Sequence, residues 1–574
     1  MLNATPSAHA LKRLGATLYL AGRLDDALVP LRQAAAITPD DMATWDILGV
    51  VLHRQGNLEA AIEAFTRAAA LCAEPLVLNN LGAALLDTGR FAEALIPLSR
   101  AVEILPDVGI RHNLAMVLLK LGNFSLALTH VNAALAQRPE DAELLCTQGL
   151  ALSATGQPQA AVAALRKSLA LHPTLRAHDH LLSAMHEADE PPETILAEAK
   201  KTPSSSHIPP IYPTHARTHH PLRIGYLSAD FYLHPVPVFF APLLANHDSS
   251  KVEIWCYSSV RRPDRMTQHL QQLSPHWRDI SKMNDESAAD AIRKDEIDVL
   301  VDLNGHTPGN RLGVAAKKPA PVVATYLGYP STTGLAEMNF RITDSFIDPL
   351  DADIYYSEKL VRLAGPFATY QAPDTAPAVG PLPMLGRGYY TFGSFAARGK
   401  ISTGALEAWG EILTRVPESR LVVFAVNPGE GASIRGPLEA HSIAGERIEC
   451  VPRVAVEDYL AAHNGVDIML DTFPLSGHTT VCHALWMGVP AVCLEGRICW
   501  QRLGASVLRQ VGLGDLVAGT REEYVEIAVG LARDGARLAA LRGGLRKRMG
   551  ASALMDHAGH ARRMEEAFVM MNNK

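Results

Sequence analysis

The chain has 574 residues, too many for one hydrophobic core, and is expected to fold as roughly two to four domains. A composition 48% hydrophobic and 20% charged is that of an ordinary globular protein, and a net charge of −7 supplies no basic face for coating a nucleic acid. The opening "MLNATPSAHALKRLG" lacks the apolar core of a signal peptide, every uncharged run of the ~18 residues needed to span a bilayer is broken by Ser, Thr, Gln, His, Gly or Pro, and the seven cysteines are scattered singly. The expectation is a reduced, cytoplasmic protein with neither membrane nor nucleic-acid partners.

The first third repeats. Gly22, Gly56, Gly89, Gly122 and Gly156 recur at spacings of 34, 33, 33 and 34 residues. Five positions after each glycine stands Ala27, Ala61, Ala94, Ala127 or Ala161, and seven before each stands Gly15, Gly49, Gly82, Ala115 or Gly149. Each unit closes near a proline: Pro39, Pro75, Pro106, Pro139 and Pro173. This period belongs to tetratricopeptide units, two antiparallel helices with small residues where they cross. Residues 1–186 are therefore expected to form an α-solenoid of about five units. Its concave groove would bind peptides or proteins, or the stack would serve as a spacer or oligomerisation arm. Asn79, Asn80 and Asn113 fall on first helices, as holders of an extended backbone or as capping and surface residues.

Residues 187–221, "EADEPPETILAEAKKTPSSSHIPPIYPTHARTHHP", read as one short helix near Thr194–Lys200 and then a linker, with His215, His219 and His220 as solvated linker residues. From Leu222 the pattern changes. "LRIGYLSAD", "VEIWCYSSV", "IDVLVDLNGH" and "PVVATYLGY" are short β-branched runs separated by helical stretches, which predicts a parallel sheet. The rhythm restarts after the Pro/Ala/Gly-rich run Ala372–Gly388 with "YYTFGSFA", "RLVVFAV", "RIECVPR", "DIMLDT" and "PAVCLEG". Two doubly wound α/β lobes follow, residues 222–385 and 386–574, with a ligand cleft at the carboxyl ends of their strands.

One strand end in the second lobe is "LDTFPLSGHTTVCHALWMGVP", where a helix is expected to begin after Gly477. A helix start offers unpaired N–H groups and partial positive charge, so the turn is either an anion site or a plain N-cap with threonine as the capping residue.

With this stretch stand "DFYLHP" (230–235), "DLNGHTPGNR" (302–311), "PAPVVATYLGYPSTTG" (319–334) and "FGSFAARGKI" (392–401), in that order behind the repeats. The combination resembles the O-GlcNAc transferase family in its bacterial form, nucleocytoplasmic enzymes with two Rossmann-like lobes of the GT-B class, and covers essentially the whole chain. The resemblance implies inverting transfer of N-acetylglucosamine from UDP-GlcNAc to Ser/Thr hydroxyls of protein acceptors held by the repeats, with no cofactor and no bound metal. It implies that Gly477, His478, Thr479 and Thr480 hold the diphosphate, that Lys400 meets the departing charge, and that Leu327 and Gly328 line the sugar. His234 is implied at the sugar as general base or as positioner, with Asp302 and His306 as alternates for the base.

The chain also departs from that pattern. His483 stands where the family has a ribose-binding aspartate, Ala397 where it has a glutamine, Val456 where it has a lysine, and Tyr459 where it has a base-stacking histidine. Donor identity therefore stays open, with a protein O-fucosyltransferase using GDP-fucose as one alternative and a non-catalytic repeat scaffold as another. The pair Asp351 and Asp353 could bridge a divalent cation to a diphosphate and makes a metal-dependent transferase a further possibility.

Overall fold

The computed structural model describes residues 6–202 and 219–573, in two compact units that divide between Leu152 and Ser153. His215 lies outside the described residues.

The first unit is helical: α1 (Ala8–Leu20), α2 (Leu24–Ile37), α3 (Met42–Arg54), α4 (Leu58–Leu71), α5 (Pro75–Asp87), α6 (Phe91–Ile104), α7 (Val108–Lys120), α8 (Phe124–Leu135) and α9 (Ala142–Ala154), which runs into the second unit. The two series of small residues have different causes. Gly22, Gly56, Gly89 and Gly122 sit in the turns between paired helices with φ of 69–78°, a backbone state that side chains disfavour. Gly15, Gly49 and Gly82 are helical and lie at crossings. A β-carbon there would stand 2.4 Å from Leu31, 2.6 Å from Phe65 and 2.3 Å from Leu98 respectively. The alanines Ala27, Ala61, Ala94 and Ala127 are fully buried at the same crossings. Among the asparagines, Asn113 Nδ2 donates to Asn79 Oδ1 (2.9 Å) and Asn80 Nδ2 to Asp46 Oδ1 (3.0 Å). The half-buried amides thus form rungs between successive repeats.

The second unit opens with α10 (Pro158–Leu171), α11 (Leu175–Glu187) and α12 (Pro192–Ala199). His219 is no free linker residue, since its Nδ1 lies 3.0 Å from the buried carboxylate of Asp298. Two parallel sheets follow. The first comprises β1 (Leu222–Ser228), β2 (Val252–Ser258), β3 (His276–Asp279), β4 (Val299–Asp302), β5 (Val322–Thr325), β6 (Phe340–Asp344) and β7 (Lys359–Leu363), in the order β3-β2-β1-β4-β5-β6-β7. The second comprises β8 (Thr391–Ser394), β9 (Arg420–Phe424), β10 (Ile448–Val451), β11 (Ile468–Leu470), β12 (Ala491–Leu494) and β13 (Val517–Ala518), in the order β10-β9-β8-β11-β12-β13. The central strands β1, β4 and β8 are buried on both faces, which explains the near-continuous apolar runs in the sequence.

The chain-order division at residue 386 needs one correction. The last helix, His557–Asn572, packs on the first lobe, against β7 and the helix α13 (Pro235–Ala245). Glu565 Oε1 accepts from Asp248 N (2.8 Å), and Tyr326 OH lies 3.1 Å from His560 Nε2. Phe568 and Met571 are fully buried there.

Candidate active site

In each sheet the strand order reverses once, between β1 and β4 in the first and between β8 and β11 in the second. Loops leaving the carboxyl ends of such strands diverge and leave a crevice. Four of the five singled-out segments leave these strands: Ala229–His234 after β1, Leu303–His306 after β4, Phe395–Lys400 after β8 and Asp471–Thr480 after β11; the fifth, with Leu327 and Gly328, leaves β5.

The turn after β11 is pinned from below by Asp471, which is 1% exposed. Its carboxylate accepts from Ser476 Oγ (2.6 Å) and Gly477 N (3.0 Å), and Ser476 Oγ accepts in turn from Gly504 N (2.9 Å). The helix Thr479–Trp486 begins directly after His478 and has no side-chain cap, so neither threonine is the plain N-cap that the sequence allowed. The first-turn N–H groups have no intrahelical acceptor, and Thr480 Oγ1 has no hydrogen-bond partner. His478 stacks on Phe239 of α13 at 4.3 Å, joining the two lobes, and burial together with Lys400 pushes its pKa down to about 4. A neutral imidazole therefore flanks the helix start.

Lys400 is exposed to solvent, and desolvation by the surrounding protein lowers its pKa against the pull of two acidic groups, Asp471 and Glu187. It opens into a cavity of about 500 Å³ whose lining includes Glu187, Ser402, Phe473, Gln501 and Arg521. That volume suits a small ligand or part of a larger one.

His234 caps α13 with its ring: Nδ1 accepts from Val236 N at 3.4 Å and lies 3.7 Å from Asp230 Oδ2. Burial and Arg453 push its pKa down to about 4. Asp230, 4% exposed, accepts from Asn304 Nδ2 (2.6 Å) and is pushed up to about 7 by burial and by Asp302.

The alternates for the base are otherwise engaged. His306 is 1% exposed, with Nδ1 2.7 Å from Asp179 Oδ1 and Nε2 2.8 Å from the Thr333 carbonyl. Both ring nitrogens are thus taken up by buried protein groups, and neither is open to a substrate. Asp302 is fully buried and accepts from Gly305 N (2.7 Å) and Asn304 N (3.3 Å), which shapes the loop after β4. Neither side chain is exposed toward the cleft in this arrangement.

Leu327 adopts φ +63°, unusual for a residue with a side chain, and a β-carbon on Gly328 would lie 2.2 Å from the Leu303 carbonyl. The loops after β4 and β5 are pressed together at this point. Beyond the helix start, His483 is 7% exposed, lies among Tyr459 (5.6 Å) and Tyr370 (5.7 Å), and has no partner on either ring nitrogen. Burial holds its pKa down at about 4. Phe395 stacks on His463 (3.7 Å) beside Tyr459, extending the aromatic wall.

Asp353 is bound by Arg362 at 2.8 Å, and both it and Asp351 are exposed in a short helical turn after β6. Among the described residues no group of three or more His, Cys, Asp or Glu is arranged to hold a metal ion, and no helix is long and apolar enough to cross a membrane. Sequence reasoning missed Glu187, Asp230 and Phe239. Of these, only Asp230 carried a visible signal, as the first residue of "DFYLHP".

The model of glycosyl transferase family 41 matches residues 201–371 and 386–564, and tetratricopeptide models match 40–107 and 112–176. The tomato (Solanum lycopersicum) protein described as a probable UDP-N-acetylglucosamine–peptide N-acetylglucosaminyltransferase SPINDLY is 40% identical over 360 residues, which is 61% of this chain and 39% of that protein. The Arabidopsis thaliana protein SEC, described as a probable enzyme of the same kind, is 30% identical over 363 residues, 61% of this chain and 37% of its own length. The match thus spans about two fifths of these curated relatives. A solved structure, a lysine-to-methionine mutant of the Thermobaculum terrenum O-GlcNAc transferase, superposes with a TM-score of 0.79 at 33% identity, over 87% of this chain and 97% of that one. With tetratricopeptide repeats ahead of two parallel-sheet lobes, and with the family model matching most of its length, the chain belongs to glycosyl transferase family 41.

Proposed function

We propose that the protein transfers N-acetylglucosamine from UDP-GlcNAc to serine or threonine hydroxyls of protein acceptors, with inversion at the sugar carbon. The observation that carries this is the uncapped helix start at His478–Thr480, with Lys400 within electrostatic reach of the Asp471 that supports it. A departing nucleoside diphosphate gains negative charge, and oriented N–H groups with one ammonium stabilise that charge. Neutral His478 adds a donor without adding a charge. Gly477, Leu327 and Gly328 shape the floor where diphosphate and sugar would meet, and the two relatives and the solved neighbour bear names for this chemistry.

In the transfer, the acceptor oxygen forms a bond to the sugar carbon as that carbon's bond to the diphosphate oxygen breaks, and the hydroxyl gives up its proton. The neutral His234 ring has two tautomers. With Nδ1 accepting from Val236, the outward nitrogen carries hydrogen and positions an oxygen. With Nδ1–H turned toward an ionised Asp230, the outward Nε2 can take the proton. We infer that Asp230 selects between these states, so that His234 serves as base when Asp230 is ionised. The half-buried asparagines of the first unit supply amides for an acceptor backbone.

Calorimetry with UDP and GDP, followed by intact-mass analysis of an acceptor protein incubated with UDP-GlcNAc or GDP-fucose, tests the reading. UDP binding and a gain of one N-acetylhexosamine mass are expected. The unpartnered His483 beside Tyr459 favours a second reading, a GDP-fucose donor. GDP binding with a fucose mass gain would establish it. Binding without turnover by either donor would leave the scaffold.

A further inference from the structure

Glu187 is the last residue of α11, yet its carboxyl belongs to the surroundings of Lys400. It accepts a hydrogen bond from Ser153 Oγ and lines the same cavity as Lys400. A β-carbon on Gly399 would lie 3.6 Å from Glu187 Oε1 and 3.2 Å from the Ser153 carbonyl, so the backbone beside Lys400 is set against this helical segment. The two acids within electrostatic reach of Lys400 differ in their bonding. Asp471 is committed to Ser476 and Gly477 and holds the turn, whereas Glu187 is held by the Ser153 hydroxyl.

The other charges around the cavity have partners of their own. Gln501 Nε2 donates to Asp189 (2.7 Å), and Glu495 pairs with Arg502 and Arg509. Arg521 pairs with Glu407 (2.6 Å), and Arg398 donates to the Ile401 carbonyl (2.8 Å). His478, whose pKa burial and Lys400 push down to about 4, is neutral at working pH.

We propose that Glu187 is a positioning residue for Lys400 and gates donor binding by its charge. Protonated, it leaves the ammonium to the incoming diphosphate; ionised, it draws the ammonium aside and repels the diphosphate. The inference rests on the reading of Lys400 as the diphosphate lysine given under Proposed function. Burial pushes the Glu187 carboxyl up to about 7, against the opposing pull of Ser153 and Lys400, so its charge changes across the neutral range. A nearby diphosphate raises it further, so binding takes up a proton and weakens as pH rises through that value.

The test is calorimetric titration of the full chain with UDP-GlcNAc between pH 6 and 8.5, in two buffers of different ionisation enthalpy. The diphosphate diester of this probe does not itself titrate in that range, unlike UDP. The wild type should lose affinity by up to about tenfold per pH unit above 7 and take up a fraction of a proton on binding. Glu187→Gln should bind at pH 8 as tightly as the wild type at pH 6 and take up no proton, while Glu187→Asp should restore the pH dependence. A thermal melt accompanies each variant, and Ser153→Ala, which leaves the carboxyl in place, should shift the pH dependence if Glu187→Gln fails to fold. A wild-type pH profile retained by Glu187→Gln would overturn the gate and leave the donor reading standing. Lys400→Met with undiminished affinity would overturn both.

Discussion

Gly477 and Thr480 are in such contact that a β-carbon on the glycine would lie 1.9 Å from Thr480 Oγ1. The glycine keeps the turn closed over the threonine hydroxyl, which is left without a partner at the helix start. Replacing Thr479 and Thr480 together by valine preserves shape and removes both hydroxyls. UDP binding should weaken by ~1–3 kcal/mol, the cost of stranding hydrogen-bonding groups. Calorimetry on the folded double variant checks this, and an unchanged affinity would place the diphosphate elsewhere.

Lys400→Ala should lower kcat by ~10²–10³, as when one electrostatic donor to a developing charge is removed. Lys400→Met, which keeps the apolar stem, should be as impaired if charge is what matters. Because Asp353 is already bound by Arg362, Asp351→Asn with Asp353→Asn should turn over near the wild-type rate, and activity should survive EDTA. Loss of activity in EDTA, restored by Mn²⁺, would make this a metal enzyme.

The pH dependence of turnover should separate from that of binding. Asp230 is protonated below about 7 and ionised above it, and only the ionised form draws the His234 proton to Nδ1. With saturating donor, kcat should therefore rise with pH through about 7. Asp230→Asn should flatten that limb and lower the plateau. His234→Ala should lose ~10²–10⁴ in kcat while UDP affinity stays within a few-fold. If Asp230→Asn kept the wild-type pH profile, the base would have to be sought outside this pair.

His306 should matter for the fold before the chemistry. Asp179→Ala removes the partner of both His306 Nδ1 and Asn310 Nδ2. Breaking such a buried pair costs about 3–5 kcal/mol, visible as an earlier thermal transition of the second unit. Donor binding at a temperature well below that transition should persist.

Removal of residues 1–152 should spare UDP binding and donor hydrolysis, whose candidate groups all lie in the second unit. Glycosylation of protein acceptors should fall if the asparagine rungs hold the acceptor. A soluble truncation that modified full-length proteins at the intact rate would dismiss the repeats as an acceptor site. Asn79→Ala with Asn113→Ala is the milder version, with donor hydrolysis as its control.

What the sequence revealed follows from the distance over which each feature is determined. The turn glycines and crossing glycines are local, each fixed by φ or by one neighbour a helix away, so the period carried them. The helix start after β11 is likewise local, announced by glycine, histidine and two threonines. His306 is different: whether its nitrogens are free depends on Asp179, 127 residues earlier in the chain, and on the Thr333 carbonyl. Glu187 reads as an ordinary helix-ending acid, and only the tertiary fold sets it beside Lys400. The last helix looked like part of the second lobe because nothing in its own pattern says which surface it covers.

That last helix makes the lobes covalently joined twice, once through residues 372–388 and again where the chain returns after Gly550. Two straps restrict the lobes to a swing about the line joining the crossings, because independent twisting would shear one strap against the other. The same arrangement makes the final residues a clasp. Cutting the chain before His557 would uncover the apolar pocket around Phe240 and Tyr226, against which Phe568 packs, and would free the lobes to drift apart on a single tether.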